Sequence, residues 1–293
     1  MPASIRRFRS MAVSVTRRLT ATFGAELSGI DIGGHADAEA IQAVQSAWSE
    51  HKLLLFREQS TDEAALVDFS RKFGELEIHV RTEYLSPDHP EILYVSNITR
   101  DGRRIGILAD TEVGWHYDQI YLPRPAVGSL LCAVILPPSG GNTEFADMAA
   151  AYAALPADIK STLAGKRAIQ SYEAFNRAYS VPTSEEQKRR TPDIEQPLVR
   201  THPVTGTRAL YLCPGMTTRI VGMDERASRE MLDFLFEWTV RPEFVYSHTW
   251  RQGDCLMWDN ACTMHRRDPF DQGHQRLMKR TTILPSPDVA VPV

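Results

Sequence analysis

Apolar and polar positions follow two rhythms along this chain, and the switch between them separates its first third from the remainder. Early on, TATFGAELSGIDI alternates like strand segments around a turn. Asp37 then precedes a stretch with helical spacing, which predicts a capped helix through about His51. The apolar LLLFR follows as a short strand. Thr61 or Asp62 opens a second helix, DEAALVDFSRKFG, closed by Gly74.

The later part is richer in strands. Residues 127–136, VGSLLCAVIL, read as a buried apolar strand, and Leu198–Arg200 with Arg208–Leu212 flank the turn-like PVTG as a hairpin. Phe244–Trp250, Cys255–Trp258 and Gln275–Leu284 add further strands. A helix from about Asp224 to Trp238 interrupts them, with Met231, Leu232, Leu235 and Phe236 at helical spacing. Many short strands with early and inserted helices predict a mostly-β fold with flanking helices, its core a two-sheet jelly roll of the cupin kind. No repeat, low-complexity tract or linker divides the chain, so residues 1–293 read as one domain.

Composition narrows the partners. With 43% hydrophobic residues, 293 residues suffice for a full core. A net charge of −4 offers no positive field for nucleic acid. No apolar run reaches the roughly 18 residues of a membrane span. The start, MPASIRRFRSMAVSVTRR, is basic but lacks the apolar region of a secretory signal. A disordered tail over about 1–11, or a start at Met11, is the expectation. Cys132, Cys213, Cys255 and Cys262 show no framework spacing, which suits a reducing cytoplasm.

Candidate chemistry concentrates in EVGWHYDQIYLPRP. On an extended strand, side chains two apart share a face, so His116 and Asp118 can meet one ion while Tyr117 points away. With a remote second histidine they would form a 2-His-1-carboxylate facial triad, which leaves adjacent positions open on iron(II). A second H-x-D, His35-Ala36-Asp37, precedes a helix pattern, where Asp37 reads as an N-cap. The candidates for the remote ligand are His202, His248, His265 and His274. His265 follows a buried strand, where a barrel mouth would place a loop. His248 reads as a sheet residue, His202 as part of a hairpin turn and His274 as solvated. Cys262 and His265 form a lone C-x-x-H without the second pair of a structural zinc site. Arg276 and Arg280 lie four apart in QRLMKRTTI, on one face of a strand and suited to gripping anions. Thr143, in the turn-like PPSGGNTEF, offers a hydroxyl.

Together these pieces resemble the taurine / 2,4-dichlorophenoxyacetate dioxygenase (TauD/TfdA) family of iron(II)/2-oxoglutarate oxygenases. The likeness runs from GAELSGIDI through SRKFGELEIH, GWHYD, PPSGGNTEFADM, LVRTHPVTG and MWDNACTMHR to RLMKRTTI. It rests on H-x-D, a later Gly-Gly-x-Thr, and a late His followed by Arg at eleven and fifteen residues. The resemblance implies a double-stranded β-helix, with His116, Asp118 and His265 as iron ligands. It implies that Thr143 and Arg276 hold the distal carboxylate of 2-oxoglutarate. Arg280 and His79 match substrate-contacting positions. Glu112 is a third candidate substrate-binding residue. It departs from the family pattern, because the taurine enzyme carries an amide there and a carboxylate lining the pocket would repel a sulfonate, so taurine is not assigned. The implied reaction is O2-dependent hydroxylation of a small anionic molecule: an aryloxyalkanoate, an alkylsulfonate or an amino-acid-like compound. Collapse with C–O or C–S cleavage can follow. A homo-oligomer, dimer or tetramer, is also implied. Two rivals are a metal-dependent hydrolase or isomerase and a non-catalytic small-molecule-binding barrel. Thr143 and Arg276 weigh against the first, and the intact triad against the second.

Overall fold

The apolar runs become two sheets with helices on their outer faces. A computed structural model describes residues 12–34, 36–107, 112–178 and 184–287; the stretch 1–11 and His35 lie outside them. Eleven strands make up the two larger sheets. In chain order they are β1 (Ser14–Arg18), β2 (Ala25–Ser28), β3 (Leu53–Phe56), β4 (Leu93–Ser96), β5 (Val113–His116) and β6 (Gly128–Ile135). They continue with β7 (Thr143–Asp147), β8 (Val245–His248), β9 (Cys255–Asp259), β10 (Thr263–Arg267) and β11 (Leu277–Ile283). The seven-stranded sheet runs β1-β2-β3-β9-β6-β11-β4 and the four-stranded sheet β8-β7-β10-β5. Neighbours are antiparallel except β2 with β3, which run parallel.

Period-2 geometry explains why the sequence shows apolar runs instead of alternation. On one face of the large sheet, Leu54, Phe56, Leu130 and Met257 pack against Ile41 and Val44 of the helix Ala38–His51 and Leu66 and Phe69 of the helix Glu63–Ser70. On the other face, Leu53, Leu55, Leu131, Leu256 and Trp258 point inward and meet Phe145 of the smaller sheet. Both faces are covered, so each position is apolar. The outer face of the small sheet, with Ala146 and Met264, is covered in turn by Leu232 and Leu235 of the helix Glu225–Thr239.

The helix starts follow capping chemistry. Asp37, Asp62 and Asp224 accept hydrogen bonds from the amides of Ala40, Ala65 and Ala227, each contributing about 1 kcal/mol. The second helix ends at Ser70, short of the Gly74 stop expected. Beyond it the amides of Lys72 and Phe73 bond three residues back, to Phe69 and Ser70, so the last turn tightens out of α geometry.

The cysteines depart from the sequence reading. Cys132 and Cys255 face each other across β6 and β9 and form a disulfide, while Cys213 and Cys262 are buried free thiols. The pair is 123 residues apart in sequence, a contact that only the strand pairing reveals. Among the described residues, no helix is long and apolar enough to cross a membrane.

Candidate metal centre

Between the two sheets lies a cavity of about 640 Å3. His116 ends β5 and His265 sits within β10, directly opposite it in the strand pairing, with the ring centroids 4.2 Å apart. The expected loop position for His265 is thereby corrected: the chain turns at Asp259–Cys262 and re-enters the small sheet as TMHRR. That strand was hidden in the sequence because it turns polar side chains toward a cavity. Asp118 follows β5 in a turn whose next residue, Gln119, takes a left-handed φ of 59°. Ligand atoms of His116, Asp118 and His265 come within 4.8 Å of one another. Tyr117 points the opposite way, fully buried, and its hydroxyl donates to the Leu210 carbonyl at 2.8 Å.

Each member of the trio is oriented by its neighbours. His116 Nδ1 donates to the Gly114 carbonyl at 2.8 Å, which leaves Nε2 with its lone pair. His265 packs against the rings of both Trp258 and Phe145, which also touch each other. Asp118 Oδ1 accepts from Arg280 Nη1 and Oδ2 from the Ser129 hydroxyl, both at 3.2 Å. Asn260 clamps the Asp118 peptide: its Oδ1 accepts from the Asp118 amide at 3.1 Å, and its Nδ2 donates to the Asp118 carbonyl at 2.7 Å. The same Nδ2 also reaches the Ala126 carbonyl at 3.0 Å.

The electrostatics suit a divalent cation. Burial alone would raise the Asp118 pKa, but Arg280 and the two imidazoles hold it well below the usual carboxylate range. Burial, followed by His116, pushes His265 down to about 3, and burial also lowers His116. The trio therefore presents one anionic oxygen pair and two neutral imidazoles. His265 Nδ1 is buried without a hydrogen-bond partner, a cost of about 1–3 kcal/mol that coordination by the ring would offset. The donor set fits iron(II).

A second trio among the described residues, His202, Asp259 and Cys262, does not fit a metal. His202 Nδ1 accepts from the amides of Val204 and Thr205, so its proton sits on Nε2 and is donated to Asp259 at 2.7 Å. Both nitrogens are committed. His202 is a buried brace behind the Asp259–Cys262 turn, although it lies in the expected hairpin. His248 is likewise buried and bonded to Asp254.

The cavity has two unlike ends. At one, Thr143, Arg276 and Arg267 gather from the small sheet and the start of β11. Arg267 stands directly opposite Thr143 in the β10/β7 pairing. Arg276 is 1% exposed, and its Nε and Nη1 have no hydrogen-bond partner. Burial and the neighbouring charge of Arg267 bring its pKa down to about 9, so it stays cationic at neutral pH. Gly140 and Gly141 both take positive φ, and a side chain at Gly140 would meet the Pro269 carbonyl at 2.8 Å. That glycine pair lets the turn pass closely beside Arg276 and deliver Thr143 to the cavity.

The other end is aromatic. Tyr121 and Tyr172 approach to 4.5 Å between ring centroids, with Phe175 and Tyr84 nearby on the cavity wall. His79 Nδ1 accepts from the Arg81 amide at 3.1 Å, so its proton lies on Nε2. Burial, with Arg280 adding to it, pushes the His79 pKa down to about 4. Arg280 lines the cavity alongside Asp118, whereas Glu112 is exposed and is not among the lining residues. Asp118 is the single acid among the described lining residues, beside six arginines.

Sequence reasoning missed several of these residues. Arg267 and Arg81 lie two beyond His265 and His79, a period-2 signal that was available. Tyr172, Phe175 and Asn176 come from a short helix, Tyr172–Ala178, that no pattern marked. Trp250, named in the sequence as the end of an expected strand, donates its indole N–H to the Thr143 hydroxyl at 3.0 Å.

The chain is similar to known proteins over most of its length. The chain is 35% identical to pentalenolactone F synthase of Streptomyces avermitilis, over 94% of this chain and 95% of that one. It is 34% identical to the alpha-ketoglutarate-dependent 2,4-dichlorophenoxyacetate dioxygenase of Burkholderia sp., covering 89% and 91%. The crystal structure of AAD-2 in complex with Mn(II) and N-oxalylglycine superimposes with a TM-score of 0.81 at 32% identity, covering 96% of this chain and 100% of that one. The family model for taurine catabolism dioxygenase TauD, TfdA family, matches residues 16–282, which include the whole trio and the donors at both ends of the cavity, and the chain belongs to that family.

Proposed function

We propose that the chain is an iron(II)- and 2-oxoglutarate-dependent dioxygenase acting on a C–H bond of a small anionic organic molecule. One observation carries the reading: two neutral imidazoles and an ionised carboxylate converge in the same cavity as the Thr143 hydroxyl and Arg276, whose Nε and Nη1 have no hydrogen-bond partner. The solved relative's Mn(II) and N-oxalylglycine, chemical stand-ins for iron(II) and 2-oxoglutarate, support it. Two sheets enclosing the site, together with that superposition, support a double-stranded β-helix.

His116, Asp118 and His265 would hold the iron. When bound, the iron supplies O2 activation coupled to decarboxylation of 2-oxoglutarate to succinate and CO2. Arg276 and Thr143 grip the distal carboxylate, fixing the keto acid along one axis of the cavity. Neutral His79 offers an Nε2–H, and Arg280 a positive charge, to the anionic group of the substrate. Tyr121, Tyr172 and Phe175 cover its apolar part and exclude water. That aromatic lining favours an aryloxyalkanoate over an alkylsulfonate or an amino-acid-like substrate. Assembly into a dimer or tetramer is part of the same reading, and light scattering checks it.

The test is anaerobic titration of metal-free protein with iron(II) and 2-oxoglutarate, following the weak visible charge-transfer band. The band should vanish in His116→Ala. In Arg276→Ala it should need roughly 10–100 times more 2-oxoglutarate, since a charge-assisted contact is worth about 1.5–3 kcal/mol. No band in folded, iron-loaded wild type would sink the oxygenase reading and favour a metal-dependent hydrolase on the same residues.

A further inference from the structure

The donor end of the cavity is set by a residue that does not itself line it. Trp250 lies two residues past β8, and its indole Nε1 meets Thr143 Oγ1 at 3.0 Å in a buried contact. An indole nitrogen can only donate. The threonine oxygen therefore accepts, and its own proton must point elsewhere. Beside it lie the cavity and the unpartnered Nε and Nη1 of Arg276.

The indole is braced from behind. Trp250 packs edge-to-face on His248, with ring centroids 4.7 Å apart and planes at 87°. His248 is the strand partner of Thr143 across β8 and β7. The Tyr246 hydroxyl reaches His248 Nδ1 at 3.1 Å, and His248 Nε2 reaches Asp254 at 3.0 Å. Asp254 also accepts from Arg57 at 2.7 Å and from the Arg251 amide at 2.9 Å. The column Arg57–Asp254–His248–Trp250 thus fixes one indole N–H behind one hydroxyl.

Building on the 2-oxoglutarate reading above, we propose that Trp250 is a positioning residue for the co-substrate: its indole N–H turns the Thr143 hydroxyl proton toward the distal carboxylate. Without it the hydroxyl can spend its proton in other directions, and the distal carboxylate loses an oriented donor. The effect is confined to keto acids that carry that carboxylate.

Calorimetric binding to the Mn(II)-loaded protein under anaerobic conditions tests this, with 2-oxoglutarate and 2-oxopentanoate, which lacks the distal carboxylate, as paired probes. Trp250→Phe keeps an aromatic ring beside His248 and removes the N–H together with one of the two fused rings, and the 2-oxopentanoate arm separates the packing loss from the loss of the donor. The substitution should weaken 2-oxoglutarate roughly three- to tenfold, the scale of one hydrogen bond, and leave 2-oxopentanoate unchanged. In a Thr143→Val background the same change should add nothing. Equal weakening of both keto acids, or a full additional loss on Thr143→Val, would overturn the assignment and leave Trp250 a packing residue. Should Trp250→Phe not fold, Thr143→Val alone decides: a loss of less than about twofold for 2-oxoglutarate removes the hydroxyl, and Trp250 with it, from the grip. Wild type that binds both probes equally would instead refute the co-substrate reading itself.

Discussion

The two ends of the cavity are built by different means. The donor end rests on the strands: Thr143 opens β7 and Arg267 closes β10, register partners on the small sheet, and Arg276 immediately precedes β11, where its carbonyl accepts from Ser96 and its amide donates to Asn97. The aromatic end draws on a short helix, Tyr172–Ala178, and on the loop that carries His79, Arg81 and Tyr84. The difference teaches where constancy and variety reside in such a molecule. Chemistry common to every turnover is placed on the rigid scaffold, and substrate choice on segments that can change without disturbing the core.

The sharpest way to break that comparison is at the metal trio, which both ends share. Asp118→Ala or His265→Ala should weaken Mn(II) or iron(II) binding by well over about 100-fold, beyond what loss of an outer-shell partner costs, as read by calorimetry. Asn260→Ala should follow with a loss of about 10–100-fold, because three hydrogen bonds from that amide fix the peptides of Asp118 and Ala126. Asn260 touches neither end of the cavity. If its removal leaves metal affinity unchanged, the Asp118 turn is held by Gln119 and the strand alone.

A smaller effect should separate the two ends from each other. Tyr121→Ala or Tyr172→Ala removes one ring of the 4.5 Å pair. Half-saturating substrate should rise roughly two- to tenfold, in line with about 0.5–1.5 kcal/mol for an aromatic pair, while 2-oxoglutarate affinity stays the same. Steady-state kinetics with each substrate varied in turn reads the split. An equal loss for both would mean that the rings shape the whole cavity and that the division into ends is wrong.

How much of this was legible in the sequence follows the same division. The H-x-D at 116–118, Thr143, Arg276 and Arg280 could be named because local spacing along the chain carries the family likeness, even where Asp118 sits in a turn and Arg276 just outside a strand. The helix caps at Asp37, Asp62 and Asp224 were readable for the same reason, since capping is a local event. The strand Thr263–Arg267 was not readable, because a strand facing a polar cavity lacks the apolar alternation that marks a strand facing a core. The Cys132–Cys255 bond was hidden because only the pairing of β6 with β9 brings those residues together. The part played by Trp250 was hidden because an indole looks apolar until its one donor is traced to Thr143. Glu112, weighed as a pocket residue, stands exposed at the start of β5.

The smallest effect tests how dry the aromatic end is. His79 has its pKa pushed from 6.5 to about 4, first by burial and then by Arg280, with Arg81 acting the same way and Asp118 and Glu83 opposing. Its folded pKa lies below its unfolded one, so the unfolded chain binds more protons between those values. Stability linked to His79 is therefore complete above about pH 6.5 and is lost as pH falls toward and through 4. Urea unfolding of metal-free protein at pH 7.5 and 5.5 reads the loss directly. His79→Gln should reduce that loss by under about 1 kcal/mol, allowing for water that enters by the open cavity. The same pair of measurements on the variant cancels the contributions common to both proteins, so the difference belongs to position 79. An identical loss in wild type and variant would mean that His79 takes up its proton near 6.5 like an exposed imidazole. The substrate anion would then meet a cation there at mildly acidic pH, and affinity for acidic substrates should rise as pH falls. A reduced loss means instead that the Nε2–H is a neutral donor across that range, and Arg280 alone supplies the charge.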